Sequence, residues 1–315
     1  MRRPIFSIIF LLFAVTSRVA LAEGASQTEG IKVTLFGTGT PSPLMTRFGA
    51  SILVEAGKEK LLFDCGRGCI QRLQQLKVPV GECYTLFLTH LHSDHIVGIP
   101  DLWLTGWSNG QRKVPLRIWG PMGTKEMMYH LNKAYDFDIR IRLYDTQPPA
   151  QGVVVLAEDI KQGVVYEKDG IKVTAFNVDH RPVEPAFGYR IDYAGRSVVL
   201  SGDARFSENL IRFAQGADLL VHEVVAADLQ RTLGKSQPKR AEAIIEHHTT
   251  PEQAGEVFTR VKPKLAVYSH ISPPVATAEH LISPTRKTYS GPLELGEDLM
   301  VIEVGEEVQV RRFTQ

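Results

Sequence analysis

The sequence predicts a single α/β domain built around β-sheet. Short segments rich in β-branched and aromatic residues alternate with helical stretches, and no low-complexity linker or clear internal repeat divides them. The most chemically distinctive residues each follow a predicted strand, at 84–89, 171–176, 197–201 and 265–269. A sheet that carries its chemistry on loops at one edge explains this arrangement.

The predicted elements alternate along the chain between strands and helices. In the first half they are a strand at 31–36 that ends in the breaker-rich turn 37–41, a hairpin of strands at 51–56 and 60–64, a helix at 69–76, a strand at 84–89, a helix at 96–106 and a strand at 116–120. In the second half they are strands at 153–156, 170–176, 188–193, 197–201 and 218–223, a helix from Pro251 with Thr250 or Thr249 as its cap, and a strand at 265–269.

The N-terminus has the pattern of a signal peptide. Basic residues at 2 and 3 precede an apolar run, and the small residues Ala20 and Ala22 end it in a small-x-small cleavage pattern. Arg18 interrupts the apolar stretch short of the roughly 20 residues that a membrane-spanning helix needs. We therefore expect a signal peptide at 1–22, a single mature domain at 23–315, and a periplasmic or secreted protein without a membrane anchor after cleavage.

Charge and cysteine content narrow the classes further. The chain has 36 Lys and Arg against 35 Asp and Glu, well mixed, so no basic block predicts a surface that follows a phosphate backbone. Only three cysteines occur, which cannot form a full disulfide framework. Cys65 is expected to pack as a small apolar side chain, and a Cys65–Cys69 pair stays open.

The segment at 89–95 reads Thr-His-Leu-His-Ser-Asp-His and directly follows an apolar strand. It places His90, His92, Asp94 and His95 on one tight turn, with imidazole and carboxylate groups that zinc, iron or manganese accept as ligands. Four such groups exceed what one tetrahedral ion needs from a single loop, so two adjacent ions are expected. Further ligand candidates are His180, Asp203 and His270.

A series of motifs in this order resembles the metallo-β-lactamase superfamily. They are 36–41 (Phe-Gly-Thr-Gly-Thr-Pro), 63–66 (Phe-Asp-Cys-Gly), 89–100 with the His-x-His-x-Asp-His core, 118–123, 179–181 with 187–191, 201–205, 220–223, 248–250 and 269–272. The series is similar to the branch that contains ribonuclease Z and related phosphodiesterases and arylsulfatases. The resemblance implies an αββα sandwich with a dinuclear metal site at the rim between two sheets.

The resemblance also implies a ligand set and an acid. One Zn²⁺ would bind His90, His92 and His180, the second would bind Asp94, His95 and His270, and Asp203 would bridge them; Mn²⁺ or Fe²⁺ could replace zinc. Such a pair of ions can activate a bridging water as nucleophile, with Asp94 orienting it. His248 resembles the family's general acid, with Glu223 as its orienting carboxylate.

Other residues have less specific patterns. His222 should point away from Glu223 because side chains alternate along a strand, so we expect it in the core. Trp103 and Trp107 lie at helical spacing, which favours core packing over an apolar wall for an aromatic leaving group.

Two observations argue against ribonuclease Z itself. The signal peptide would separate the protein from tRNA, and His180 and Asp203 are only 23 residues apart where that family carries a tRNA-clamping arm. We therefore expect an exported dizinc hydrolase of small phosphate or sulfate esters, of the arylsulfatase or phosphodiesterase type, without a nucleic acid partner. The alternatives are a ribonuclease Z-type endonuclease, a lactonase or β-lactamase-like enzyme, and a non-catalytic metal-binding module. A homodimer stays open because relatives are often dimers.

Overall fold

The computed structural model describes residues 30–313, which form two facing β-sheets covered by helices. The strands are β1 (Ile31–Gly37), β2 (Ser51–Ala56), β3 (Glu59–Phe63), β4 (Thr85–Phe87), β5 (Leu116–Gly120), β6 (Val155–Asp159), β7 (Gly163–Lys168), β8 (Ile171–His180), β9 (Val183–Tyr193), β10 (Arg196–Leu200), β11 (Leu219–Val225), β12 (Leu265–Ser272), β13 (Leu293–Leu295), β14 (Val301–Val304) and β15 (Val308–Arg311). The first sheet has the order β15-β14-β1-β2-β3-β4-β5-β6, and the second has the order β13-β12-β11-β10-β9-β8-β7.

The helices lie on the outer faces of the sheets. They are α1 (Cys69–Gln75), α2 (Ser93–Ile96), α3 (Ile99–Ser108), α4 (Thr124–Ala134), α5 (Asp136–Asp145), α6 (Glu208–Ala214), α7 (Ala227–Leu233), α8 (Pro238–His247), α9 (Pro251–Val261) and α10 (Ala278–Thr285). The αββα arrangement that the resemblance implies is therefore confirmed.

The main core fills the space between the sheets. Most strands present alternate side chains to this layer, among them Val33, Phe87, Val173 and Val267. Phe87 lies at its centre, stacked on Phe63 and Trp119 at ring-centroid distances of 5.0 and 5.2 Å. Offset stacking of this kind adds to the free energy that burial of the rings already contributes. Phe63 and Phe87 also contact Tyr189 on β9 of the second sheet, at ring-centroid distances of 5.2 and 5.7 Å, so this cluster packs the two sheets against each other.

Two outer cores attach the helices to the sheets. α9 buries Ala254, Val257 and Phe258 against the second sheet, and its start is fixed by the predicted cap, since the Thr250 hydroxyl accepts from the Gln253 backbone N–H. On the first sheet, α3 buries Trp103 and Trp107. Both indoles are fully buried and donate to backbone carbonyls, so they pack in the core as the spacing favours.

Several boundaries differ from the prediction for local reasons. The strand expected at 153–156 begins at Val155, because residues 150–153 form a 3₁₀ turn before it. The strand expected to end at 269 continues to Ser272, so His270 lies within β12. There the pairing with β11 shifts between His222 and Val224, which is a β-bulge.

The carboxyl ends of the parallel strands meet at one edge of the sandwich. β3, β4 and β5 run parallel in the first sheet, and β10, β11 and β12 run parallel in the second. Loops that leave these ends converge between the two sheets. The predicted signal peptide at 1–22 lies outside the described residues and stays a prediction. Within residues 30–313 every helix is too short or too polar to span a bilayer.

We expect truncation of the central ring to destabilise the fold. Phe87→Ala removes a fully buried ring between the sheets and should lower the free energy of unfolding by about 3–5 kcal/mol. Phe137→Ala is the matched control, because Phe137 on α5 is 71 % exposed and its removal should change stability by about 0.5 kcal/mol at most. Urea titration of the two variants measures both. Equal losses would contradict this packing.

Candidate metal centre

The loop after β4 supplies four of the predicted ligand residues. The chain leaves β4 extended and turns into the short helix α2 with His92 as its N-cap residue. The backbone carbonyl of His95 accepts from the Cys65 N–H at 2.7 Å, which fixes the loop to the end of β3. His90, Asp94 and His95 are buried as a result, and His92 lies at the surface of the cleft.

The second sheet supplies the other three. His180 is the last residue of β8, Asp203 follows β10 by three residues, and His270 lies at the bulge of β12. His270 has a φ of 42°, a left-handed conformation that is uncommon for a residue with a side chain. A bulge redirects a side chain that regular alternation would point elsewhere, and here it turns the imidazole toward the other ligands.

The first group of ligand atoms surrounds a small buried volume. His90 Nε2 lies 2.9 Å from His92 Nδ1, and His180 Nε2 lies 3.4 Å from the same nitrogen. Asp203 Oδ2 lies 3.9 Å from His90 Nε2 and 4.0 Å from His180 Nε2. Three nitrogens and one oxygen therefore converge, and they belong to the residues that the resemblance assigns to the first ion.

The second group shares the same carboxylate oxygen. His95 Nε2 lies 3.4 Å from Asp203 Oδ2 and 3.6 Å from Asp94 Oδ2. His270 Nε2 lies 3.3 Å from each of these two carboxylate oxygens. A tetrahedral ion with bonds of about 2.0–2.1 Å separates its ligand atoms by roughly 3.4 Å, so these separations fit a divalent metal.

Buried atoms without partners support the same reading. In the described part of the chain, His95 Nε2, Asp203 Oδ1 and His270 Nδ1 are buried and make no hydrogen bond. A buried polar atom without a partner costs free energy. His95 Nε2 is such an atom, and it lies in the shared volume 3.4 Å from Asp203 Oδ2. The donor set of imidazole and carboxylate suits zinc, manganese or iron.

Hydrogen bonds on the far side of each ring fix which nitrogen is available. His95 Nδ1 donates to Asp64 Oδ2 at 2.8 Å, and His180 Nδ1 donates to the backbone carbonyl of His247 at 2.9 Å. The Thr89 hydroxyl donates to Asp64 and therefore accepts from His90 Nδ1. In all three rings Nε2 is left to ligate.

Asp64 is the functional residue to which the sequence analysis assigned no role. Its carboxylate receives the Thr89 N–H, the Thr89 hydroxyl and the His95 ring, and its own φ is 58°. It thus supports two ligands of different groups from one buried position. The Phe-Asp-Cys-Gly motif at 63–66 is the signal that could have identified it.

The electrostatics of the site separate neutral from charged rings. Burial lowers the pKa of His180 to about 4 and that of His90 well below its usual range, so both rings are neutral near pH 7, the form that binds a metal. For His95, burial opposes the charge, but the carboxylates of Asp203 and Asp64 outweigh it and raise the pKa well above its usual range. The carboxylates of this site therefore favour a cation at its centre.

His248 and Glu223 form the predicted pair beside this centre. His248 Nδ1 donates to Glu223 Oε2 at 3.1 Å, and Glu223 Oε1 accepts from the Thr249 N–H at 2.7 Å. His248 Nε2 is left for the cleft, and the ring lies close enough to Asp203 and His270 to offer a ligand atom within 4.8 Å of theirs. Burial opposes the charge on His248, but Glu223 outweighs it and raises the pKa to about 9.

His222 lies in the core as its position in the strand predicts, and the cysteines at 65 and 69 answer the question of a disulfide. His222 is buried with its ring edge-on to Phe258, in the core and away from the ligands. Cys65 and Cys69 are buried free thiols, so the disulfide that the sequence left undecided is not formed in this structure.

The metal centre opens into one side of a cleft of about 510 Å³. The loop at 40–42, the turn at 272–274 and helices α7 and α8 form its walls. Its lining includes ligand candidates from both groups together with His248, so a molecule in the cleft would meet both groups and this imidazole at once. This volume is typical of sites that bind small molecules or short segments of a larger one.

Comparison with known proteins defines the class. Residues 59–271 match the family model described as the beta-lactamase superfamily domain. The protein YhfI of Bacillus subtilis, described as a metallo-beta-lactamase fold protein, superposes with a TM-score of 0.65 at 20 % identity, over 87 % of this chain and 99 % of that one. The chain belongs to the metallo-β-lactamase superfamily, and it is a metal-dependent hydrolase of that superfamily.

Similarity to curated relatives is more specific. The chain is 38 % identical to Ribonuclease Z of Mycolicibacterium gilvum (strain PYR-GCK) over 87 % of this chain and 96 % of that protein. It is 37 % identical to Ribonuclease Z of Mycobacterium avium (strain 104), with coverages of 87 % and 98 %. Human tRNase Z, short form, shares the fold with a TM-score of 0.58 at 24 % identity, over 86 % of this chain and 98 % of that one.

These relatives overturn two expectations. The prediction of an arylsulfatase or phosphodiesterase for small esters is wrong, and so is the prediction that nucleic acid is not a partner. The physical reason is that a net charge of +1 averages over the whole surface, whereas a substrate meets only the charges that line the cleft. The alternative that was set aside, a ribonuclease Z-type enzyme, agrees better with the relatives.

We expect Glu223 to control the protonation of His248 in the metal-free protein. Because the folded pKa is raised above 6.5, the pair stabilises the protein fully below about pH 6.5, and the contribution is lost as the pH rises through about 9. Glu223→Gln removes the countercharge, so burial should bring the pKa of His248 below 6.5. An NMR titration of the imidazole resonances measures it.

Glu246→Gln is the matched control. Glu246 is exposed on α8, the helix that ends next to His248, and its substitution should leave the pKa of His248 unchanged. A His248 resonance that titrates at the same pH with and without Glu223 would contradict the assigned pair.

Proposed function

We propose that this protein is a ribonuclease Z-type hydrolase that cleaves phosphodiester bonds in RNA. The observation that carries the proposal is the similarity to proteins named Ribonuclease Z over nearly the whole length of both chains. The geometry supports it, because all seven ligand candidates and the His248–Glu223 pair converge on one cleft. Divalent ions held by the seven residues would supply an activated water and neutralise charge on the non-bridging phosphoryl oxygens.

Asp94 orients the attacking water in this proposal. Its Oδ2 lies at the centre of the second ligand group, 3.3 Å from His270 Nε2, and the side chain lines the cleft. A carboxylate in that position accepts a hydrogen bond from a water that approaches from the cleft. The water oxygen then forms the new bond to phosphorus while the bond from phosphorus to the leaving oxygen breaks.

His248 supplies the proton that the leaving oxygen needs. Its Nδ1–H is held by Glu223, so the ring orientation is fixed and Nε2 carries the transferable proton toward the cleft. The Glu223 carboxylate favours the protonated ring and so prepares the acid before the reaction. Glu223 itself acts through His248 and through its contact with the Thr249 backbone, as a positioning residue.

We expect the zinc-loaded protein to cleave a tRNA precursor with a 3′ extension. His248→Ala should lower kcat about 10²- to 10⁴-fold, because the leaving oxygen loses its proton donor. His130→Ala is the control, since His130 is an exposed histidine on α4. Gel-based initial rates with wild type and both variants measure the effect, and para-nitrophenyl sulfate serves as the comparison substrate.

Sulfate ester turnover without any cleavage of RNA would contradict the proposal. Cleavage of RNA at the same rate by His248→Ala and wild type would support the reaction class but would show that His248 is not the general acid. Loss of activity in His130→Ala would show that the substitutions act through the fold.

Export is a separate proposal that rests on the N-terminal segment alone. The basic start, the apolar run and the Ala20 and Ala22 pattern support cleavage after Ala22. The test is N-terminal sequencing of the protein recovered from periplasmic and cytoplasmic fractions of expressing cells. A mature protein that begins at Glu23 in the periplasm supports it, and an intact Met1 in the cytoplasm overturns it.

A further inference from the structure

Helix α8 runs along the cleft and connects its outer part to the metal centre. Residues at 237, 240, 241, 244, 247 and 248 all line the cleft, with the spacing of one helical face. At the inner end the His247 carbonyl accepts from the His180 ring, and the next residue is His248. At the outer end the helix begins with Pro238.

Arg240 is the cationic residue of this helical face. Among the described residues it is the only Lys or Arg that lines the cleft, and no carboxylate lies within 4.0 Å of it. Its recorded hydrogen bond runs from Nη1 to Gln237 Oε1 at 3.2 Å, which positions the guanidinium along the helix. By contrast, nearby Arg181 and Arg231 are paired with Asp179 and Glu242.

Arg240 lies about two helical turns before the end of α8 that faces the metal centre. It precedes His248 by eight residues, which corresponds to roughly 12 Å along a helix axis. A guanidinium at that distance meets a different part of the substrate. Guanidinium groups bind phosphate through paired N–H donors, and a phosphate next to the scissile one is the anion that an RNA strand would offer there.

The rest of the lining agrees with recognition of the backbone. Apart from its imidazoles, the cleft wall in residues 30–313 has no aromatic side chain, so around Arg240 it offers no Phe, Tyr or Trp ring on which a nucleobase would stack. It offers instead the polar groups of Gln230, Ser236 and Gln237 around the guanidinium. Contacts of this type position a sugar-phosphate chain.

We propose that Arg240 is a specificity-determining residue that binds a second phosphate of the substrate, away from the phosphodiester that is cleaved. It would select chains with several phosphates over small esters with one. This inference rests on the proposed function, because an RNA substrate supplies the second phosphate.

The test compares two substrates in the full, zinc-loaded protein. An oligoribonucleotide with a 3′ extension has neighbouring phosphates, whereas bis-para-nitrophenyl phosphate has one. For Arg240→Gln we expect the ratio of kcat/KM for RNA to kcat/KM for the small ester to fall about tenfold or more, through a higher KM for RNA. Arg240→Lys should recover part of the ratio, since it keeps the charge without the paired donors.

Lys239→Gln is the matched control. It removes the same charge from the neighbouring position of α8, which does not line the cleft, so the ratio should change less than twofold. An equal loss of ratio in Lys239→Gln would overturn the inference, because it would trace the effect to general surface charge. An equal fall of both rates in Arg240→Gln would overturn it as well.

A second readout separates this inference from the proposed function. Fluorescence anisotropy of labelled RNA with the metal-free protein should show about tenfold weaker binding in Arg240→Gln and a smaller dependence of the Kd on salt. Efficient RNA cleavage with unchanged KM and Kd in Arg240→Gln would overturn the role of Arg240 alone. No RNA cleavage by wild type would overturn the proposed function, and the anisotropy result would then decide the role of Arg240.

Discussion

The site depends on one buried carboxylate that needs positive charge. Asp203 is 3 % exposed, and its Oδ2 lies within 4.0 Å of the Nε2 atoms of four histidines, at 90, 95, 180 and 270. Burial of such a carboxylate is unfavourable unless cations or donors surround it. Both sheets contribute to this surrounding, so the sandwich must close correctly before the site exists. The stacked rings between the sheets and the ligands at their rim therefore stabilise the same arrangement.

Orientation of the ligands extends through a layer of residues that do not face the cleft. Asp64 holds His95 and Thr89 from the first sheet, and the end of α8 holds His180 through a carbonyl. The same helix end presents His248 to Glu223. Helix α8 thus contacts the ligand candidate His180, ends next to His248, the proposed acid, and lines the cleft, so we expect a change on α8 to affect binding and chemistry together.

The sequence was most informative where local pattern determines structure. The strand before His90, the spacing of the motif and the cap of α9 at Thr250 depend on neighbours in the chain, and all were predictable. The bulge at His270 and the carbonyl contact to His180 depend on strands and helices far apart in sequence, so no local signal indicated them. The substrate class was misjudged because net charge averages over the whole surface, whereas the cationic side chain of Arg240 lines the cleft.

The most direct test of this account is a crystal structure of the zinc-loaded protein with anomalous data at the zinc edge. We expect two anomalous peaks per chain. One should be bound by His90, His92 and His180 and the other by Asp94, His95 and His270, with Asp203 bonded to both. A single peak, or a second peak that takes His248 as a ligand in place of His270, would contradict the shared carboxylate and the separate acid.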